Sequence, residues 1–254
     1  AEVVIISIGS QSLRALLAEE PMQALRNKTV VLCMKGLEMG TGERLSVIAG
    51  ELLHPSCTVA VWLGPGHVQE FYRGIPNCMV IDSENEQVKR RLVQAFSSDL
   101  IRFYYGGDMI GNEVGAAAKN VVGIAAGFLD GVEMSSLKGA LMSRGTREVA
   151  RLIRAMGGNE LSAYGLCHLG DYEATVFSPY SHNRQFGESF IRHQDYHRLA
   201  EGYYTVEALM VLSERYQVEL PICRAVHAIL YENADPREQL TDLLRRGLRA
   251  EFDD

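Results

Sequence analysis

A sheet domain of alternating strands and helices, followed by an all-helical domain, is predicted here from three observations. Over residues 1–105 short β-branched runs alternate with helical stretches, and after Gly106-Gly107 the strand signals stop. The strands are apolar along their whole length, which marks a mostly parallel, doubly wound sheet covered on both faces. Beyond the glycine pair the chain turns to long helical patterns, two of which open with proline at the first turn (Pro221 and Pro236). The predicted division is 1–106 for the sheet domain and 107–254 for the helical domain.

Each element follows from its own residues. Residues 2–8 (EVVIISI) read as a buried strand, and Ser10 can cap a helix running towards Glu19. Residues 29–34 (TVVLCM) form a second strand, followed by a glycine-rich turn and an amphipathic helix over 43–53. Residues 58–63 (TVAVWL) and 78–82 supply the third and fourth strands. A polar helix over 85–96 then leads to a fifth strand, 100–105. In the second domain, 108–130 and 136–156 are helices, the latter stopped by Gly157-Gly158. Residues 205–216, 221–232 and 236–246 add three more.

Composition narrows the class. The chain has 25 basic and 32 acidic residues, a net charge of −7 with no cationic block, which argues against nucleic acid as a partner and leaves room for a local anion pocket. No apolar run reaches the roughly 18 residues of a membrane span. Cys33, Cys57, Cys78, Cys167 and Cys223 are odd in number and scattered. They read as reduced, buried thiols of a cytoplasmic protein rather than a disulfide frame, and no metal site is expected.

One segment carries a chemical signal. In 114–128 the only charge is Lys119, on a face of Gly115, Ala116, Ala117, Ala118, Gly123, Ala125 and Ala126 that lets other backbone approach closely. Removing an ammonium from water is costly unless it is paired or discharged, and desolvation lowers its pKa. Such a lysine is a candidate general acid/base, with a snorkelling side chain or a structural ion pair as the alternative. Lys35 follows the second strand, where ligands of open α/β sheets bind, and is placed to meet an anion, with a solvated loop lysine as the alternative.

Three glycine- or polar-rich stretches complete the candidates. Gly64-Pro65-Gly66-His67-Val68-Gln69 follows a strand, with Asp82 at the end of the next, close to a dinucleotide fingerprint but with Gln69 in place of the third glycine. It reads better as a tight loop presenting backbone N–H groups before a helix that ends by Arg73. Residues 165–171 (GLCHLGD) form a turn ending in an acid. Residues 181–187 (SHNRQFG) offer donors suited to phosphate oxygens, or alternatively a helix capped by Ser181 with surface polars. His54, His168 and His227 show no partner spacing and are read as structural.

In this order the segments resemble the NAD(P)-dependent glycerol-3-phosphate dehydrogenases. The likeness rests on KGLE (35–38), GPxxxxE (64–70), GxExGxAxKNVxxIAAGxxDG (111–131), Arg144-Gly145, GLxxLGD (165–171), SxNRxFG (181–187), EGYxT (201–205) and ELPI (219–222). It is collinear from Ala1 to about Glu251. The resemblance implies a Rossmann-like sheet domain with a helical substrate and dimerisation domain. It implies hydride transfer between NAD or NADP and the dihydroxyacetone phosphate/sn-glycerol 3-phosphate pair, in a cytoplasmic homodimer. Carried over by position, Lys119 is the general acid/base and Asp171 its partner. Lys35, Gly64, Gly66, Asn120, Ser181, His182, Asn183 and Arg184 make up the substrate side. Ser10, Val68, His182, Leu199 and Glu201 fall where the family contacts the cofactor.

Departures sharpen the expectations. The family's Gly-Pro-Ser-Phe-Ala is Gly64-Pro65-Gly66-His67-Val68 here, losing a hydroxyl at Gly66, and His182 replaces the first arginine of Ser-Arg-Asn-Arg. That arginine lies between phosphate and cofactor, so binding here is open to control by an imidazole. The family's leading GxGxxG turn and first mononucleotide half have no counterpart after Ala1, and a fragment is expected rather than a shortened gene product. Retention of Lys119, Asp171 and Asn183 favours an active enzyme. The alternative is a non-catalytic homologue that keeps the anion-binding helical domain. The enzyme reading requires Lys119 beside Asp171 and away from bulk solvent.

Overall fold

The computed structural model describes residues 1–66 and 68–245. Its first half runs β1 (Val3–Ile6), a 3-10 turn (Ser10–Ser12), α1 (Leu13–Leu17), α2 (Glu20–Gln23), β2 (Thr29–Leu32), α3 (Leu45–Leu52) and β3 (Thr58–Leu63), then α4 (Val68–Tyr72), β4 (Asn77–Asp82), α5 (Glu86–Phe96) and β5 (Ile101–Tyr105). The strands form one sheet in sequence order. β2 is buried at every position, as its apolar run requires. One face packs Ile6, Val30, Leu32 and Leu63 against Leu13, Leu17, Leu45 and Ile48 of α1 and α3. The other packs Val31, Ala60, Ile81 and Phe103 against Leu92 and Val93 of α5. The sheet is covered on both faces.

The predicted mostly parallel sheet holds for β1–β2, β2–β3 and β4–β5, but β4 runs antiparallel to β3, with Leu63 opposite Val80 and Val61 opposite Asp82. The connection explains the reversal. A parallel return needs a crossover as long as the strand, about 20 Å for six residues. α4, at five residues, covers only about 7.5 Å. The chain therefore turns back beside β3. Asp82 is consequently set opposite Val61, back along β3 from Gly64, and the two are not parts of one nucleotide-binding turn.

The second half is helical: α6 (Met109–Gly131), α7 (Lys138–Ala155), α8 (His182–Ile191), α9 (Glu201–Tyr216), α10 (Pro221–Tyr231) and α11 (Pro236–Arg245). Every residue over 111–129 of α6 is buried, so this helix is enclosed on all sides. α8 lies closely against it because Gly127 and Gly187 face each other's helix; a Cβ on Gly127 would come within 2.7 Å of the Glu188 nitrogen. Of the small residues named around Lys119, Gly115 admits His168 and Gly123 admits Thr175, where a Cβ would come within 3.0 and 2.7 Å of their side chains.

Other differences are local. Ser10 does not cap α1: the turn begins at Gly9, and the Ser10 hydroxyl donates to Glu201 instead. α9 starts at Glu201, a turn earlier than its apolar pattern. α8, capped by Ser181, is the helix that one of the two readings of 181–187 expects. Cys167 and Cys223 are buried, but Cys33, Cys57 and Cys78 are only half-buried; all five are free thiols. His67 of the Gly-Pro-Gly loop and Arg246, the predicted end of the last helix, lie outside the described residues.

Candidate functional site

A cleft of about 580 Å³ opens where the ends of β2 and β3 meet α6, α8 and the start of α9. At its base three charged side chains converge from distant parts of the chain. Lys35, just beyond β2, donates from Nζ to Asp171 Oδ2 at 2.7 Å and to the Gly64 carbonyl at 2.6 Å. Lys119, in the middle of α6, lies 3.0 Å from the same Asp171 oxygen. Asp171 is buried at the end of a 3-10 turn (Leu169–Asp171).

Thr175, on a single π-helical turn (Glu173–Phe177) that follows, completes the group. Its hydroxyl donates to the Asp171 carbonyl at 2.6 Å, which turns its lone pairs towards Lys119; Lys119 Nζ donates to it at 2.8 Å. With Asp171 and Thr175 as its partners, Lys119 keeps one N–H for the cleft. Lys35, held by Asp171 and Gly64, keeps one as well.

The electrostatics follow from burial and from sharing. Burial pushes the Lys119 ammonium down to about 8 from its ordinary 10.5; Asp171 opposes this and Lys35 adds to it. A single carboxylate between two lysines leaves the trio with a net positive charge, with Lys119 and Asp171 buried and Lys35 partly exposed to the cleft. Beneath it, His168 is fully buried, with Nδ1 2.8 Å from the Gly115 carbonyl and Nε2 2.7 Å from the Tyr172 hydroxyl. A carbonyl can only accept, so Nδ1 carries the proton and Nε2 accepts from Tyr172. Burial pushes this imidazole down to about 4. It supports the Asp171 turn and stays neutral.

An amide ladder ties the cleft together. Asn120 donates to the Lys35 carbonyl at 2.7 Å and accepts from Asn183 at 3.0 Å, while Asn183 accepts from the Gly202 N–H at 2.9 Å. Ser181 caps α8 by accepting from the Arg184 N–H at 3.3 Å and also lines the cleft. Ser181 therefore both caps α8 and borders the cleft. His182 lines the cleft with Nδ1 2.8 Å from the Tyr196 hydroxyl.

The remaining predicted residues fall into two groups. Leu199 and Glu201 line the cleft, and Glu201 also accepts the Ser10 N–H at 2.8 Å. Leu199 presents an apolar side chain that is 53% exposed. The absent Cβ of Gly9 keeps a notch open there: a Cβ would sit 3.7 Å from Leu199 and 3.9 Å from Glu201. An apolar face beside a carboxylate and the Ser10 hydroxyl fits the flat, amide-bearing ring of a nicotinamide. Gly66 also lines the cleft; at φ +155° a side chain there would be strained and its Cβ would meet Phe71 at 2.9 Å, so the hydroxyl of the family's serine has no place at this backbone.

Three others stand apart. Gly64 contributes its carbonyl, not an N–H. Val68 opens α4 and is 63% exposed, outside the lining. Arg184 turns away from the cleft, against expectation, because two carboxylates hold it: it donates to Asp130 at 2.7 Å and to Glu188 at 3.2 Å. Residues that the motifs did not identify also line the cleft, namely Ala174, Thr175, Tyr180 and Arg198. Thr175 was within reach of sequence reasoning, since it follows Asp171 by four residues and so shares its helical face. Among the described residues no cluster of His, Cys, Asp and Glu could hold a metal ion.

Comparison with known proteins agrees with this arrangement. Residues 1–89 match the N-terminal and residues 108–241 the C-terminal model of NAD-dependent glycerol-3-phosphate dehydrogenase. The chain is 32% identical to glycerol-3-phosphate dehydrogenase [NAD(P)+] of Pelodictyon phaeoclathratiforme, covering all of this chain and 79% of that protein. It is 34% identical to the enzyme of the same name from a Thermotoga species, over 99% and 78% of the two chains. The crystal structure of glycerol-3-phosphate dehydrogenase from Coxiella burnetii superposes with a TM-score of 0.90 at 27% identity, over 97% of this chain and 78% of that one. With both halves matched and the lysine–aspartate site at their junction, this chain belongs to the NAD-dependent glycerol-3-phosphate dehydrogenase family.

Proposed function

We propose that this protein interconverts dihydroxyacetone phosphate and sn-glycerol 3-phosphate with NAD or NADP, and that Lys119 is its general acid/base. The observation that carries the reading is the buried lysine held between Asp171 and Thr175 with one N–H left for the cleft. The chemistry that NAD or NADP supplies when bound is transfer of a hydride to or from C2.

The chain's own residues do the rest. In the reductive direction Lys119 donates its cleft-facing proton to the C2 oxygen and stabilises the charge developing there. In the oxidative direction the neutral amine takes the proton from the C2 hydroxyl. Asp171 holds Lys119 and Lys35 in register and offers its second oxygen, Oδ1, to the free hydroxyl of the substrate. Lys35, Ser181 and Asn183 hold the substrate and its phosphate, and Asn120 fixes Lys35 and Asn183 through its amide. Leu199 and Glu201, with Ser10, would hold the nicotinamide. Arg184 acts at one remove, by fixing α8 to α6 through Asp130.

The broader setting follows the same reading. We place the division between sheet and helical domains at 106–107, between the end of β5 at Tyr105 and the start of α6 at Met109. We also place the enzyme in the cytoplasm as a homodimer joined through the helical domain. The free state of all five cysteines supports the compartment. Exposed apolar side chains on the helical half, such as Leu161, Phe177 and Phe190, support a partner there. Light scattering gives the mass in solution.

The deciding experiment is oxidation of NADH and NADPH with dihydroxyacetone phosphate, run beside Lys119→Ala. Turnover that vanishes in the variant is the expected result. Absence of turnover, with dihydroxyacetone phosphate still raising the melting temperature, would instead assign a substrate-binding role without catalysis.

A further inference from the structure

We infer that Arg198 is a phosphate-binding residue of this cleft, supplying from the segment before α9 a permanent positive charge where α8 offers the imidazole of His182; the inference rests on the assignment of the cleft to phosphorylated ligands.

The charge balance of the lining points to it. The cleft is lined by Lys35, Lys119 and Arg198 on one side of the balance and by Asp171 and Glu201 on the other. Without Arg198 the two lysines and two carboxylates cancel. With it the cleft is positive. A phosphate monoester brings close to two negative charges at neutral pH, and a neutral cleft has little to hold it with.

The two lysines are also already committed. Both are anchored to the same Asp171 oxygen, so their remaining N–H groups are aimed at the reacting end of the cleft. Arg198 makes no ion pair among the described residues and is exposed, leaving its planar fork of donors free to engage phosphate oxygens in a bidentate way.

His182 and Arg198 serve one locus. The His182 ring reaches the Tyr196 hydroxyl at 2.8 Å, and Tyr196 lies two residues before Arg198. Arg198 is near enough to Tyr196 to pull its phenol down against the rise that burial causes. The imidazole, the phenol and the guanidinium thus stand together beside Ser181 and Asn183. In this neighbourhood only the guanidinium carries a charge that does not depend on pH in the physiological range. Sequence reasoning passed over Arg198 because it lies outside every motif, on an exposed stretch without periodicity.

The test is Arg198→Gln, with Arg198→Lys and the double variant His182→Arg/Arg198→Gln. A charge-assisted contact to phosphate contributes about 1.5–3 kcal/mol, so the KM of the ligand that bears the phosphate should rise on the order of 10- to 100-fold, with kcat changed far less. A rise for dihydroxyacetone phosphate identifies the substrate phosphate. A rise for NADH or NADPH identifies the dinucleotide's phosphates. Arg198→Lys should recover part of the loss and the double variant most of it. Unchanged KM values for both ligands, or a double variant no better than Arg198→Gln, would overturn the inference.

Binding of inorganic phosphate, read as a rise in melting temperature, provides an arm independent of turnover. If wild type turns over no dihydroxyacetone phosphate, the functional reading fails. Protection by phosphate that is lost in Arg198→Gln would still support the phosphate site. Equal protection of the two proteins would overturn it.

Discussion

Two buried lysine–aspartate pairs in this protein look alike by composition and differ in what they can do. Lys89 and Asp82 meet at 3.5 Å beside the start of α6, with Asp82 opposite Val61 of β3. Lys119 and Asp171 meet at 3.0 Å in the cleft. In the first pair every donor and acceptor is engaged. Lys89 also donates to the Gly106 carbonyl at 2.6 Å and pairs with Glu86 at 2.5 Å, while Asp82 accepts from Ser83 N, Asp108 N and Asn112 Nδ2. In the second pair the carboxylate is shared with another lysine, and each ammonium retains a proton facing the cleft. A buried charge with all its bonds made holds a structure together; one left with a bond to make can do chemistry.

That contrast can be broken by matched substitutions. Lys119→Met should lower kcat by on the order of a thousandfold, the scale of a positioned acid/base with its charge. It should leave thermal stability nearly intact, because Lys35 still pairs Asp171. Steady-state kinetics and a melting curve read the two halves of that statement. Lys89→Met should do the reverse, costing about 3 kcal/mol of stability by stripping a buried carboxylate of its cation, with kcat changed by less than about threefold. Denaturant melts compare the two proteins, and equal destabilisation of both would erase the distinction.

The pH profile sharpens the contrast further. Burial has lowered the Lys119 ammonium to about 8, so the acid form is lost as pH rises through that value. Reduction of dihydroxyacetone phosphate should therefore fall about tenfold per unit above pH 8, and oxidation of glycerol 3-phosphate should rise to a plateau there. Profiles of kcat/KM measured in both directions would show the two limbs crossing near 8. A limb at 10.5, the ordinary lysine value, would place Lys119 in water.

The smallest expected effect concerns Arg184. Its bonds to Asp130, Glu188 and the Ser178 carbonyl make it a structural residue. Arg184→Gln should cost about 1–2 kcal/mol of stability and move the KM for dihydroxyacetone phosphate by less than about twofold. A large KM change with unchanged stability would return it to the substrate side.

The parts of the fold legible in the sequence were those governed by local pattern. Apolar runs gave the strands, and the change after Gly106-Gly107 marked where strands end and long helices begin. The direction of β4 was not legible, because it depends on how far α4 can carry the chain, and with it went the pairing of Gly64 with Asp82 as one nucleotide turn. In the site, Lys119 stood out as a lone charge among small residues, and Ser181 as a cap. Arg184 was misread because its carboxylate on α6, Asp130, is 54 residues away. Arg198 was unseen because it belongs to no motif itself, although Leu199 and Glu201 stand beside it in the chain.

By itself, the sequence determined which segments would be strands and helices, which helix would be enclosed, and that one lysine in it would lack local partners. These are consequences of periodicity and side-chain size, set within a few residues. The tertiary structure decided which charges would meet. Lys35, Lys119 and Asp171 come from a strand end, a helix centre and a turn, and their chemistry depends on separations of about 3 Å and on the burial of Lys119 and Asp171. Coulomb energy and desolvation depend on distance and surroundings in space, and neither is encoded by neighbours along the chain.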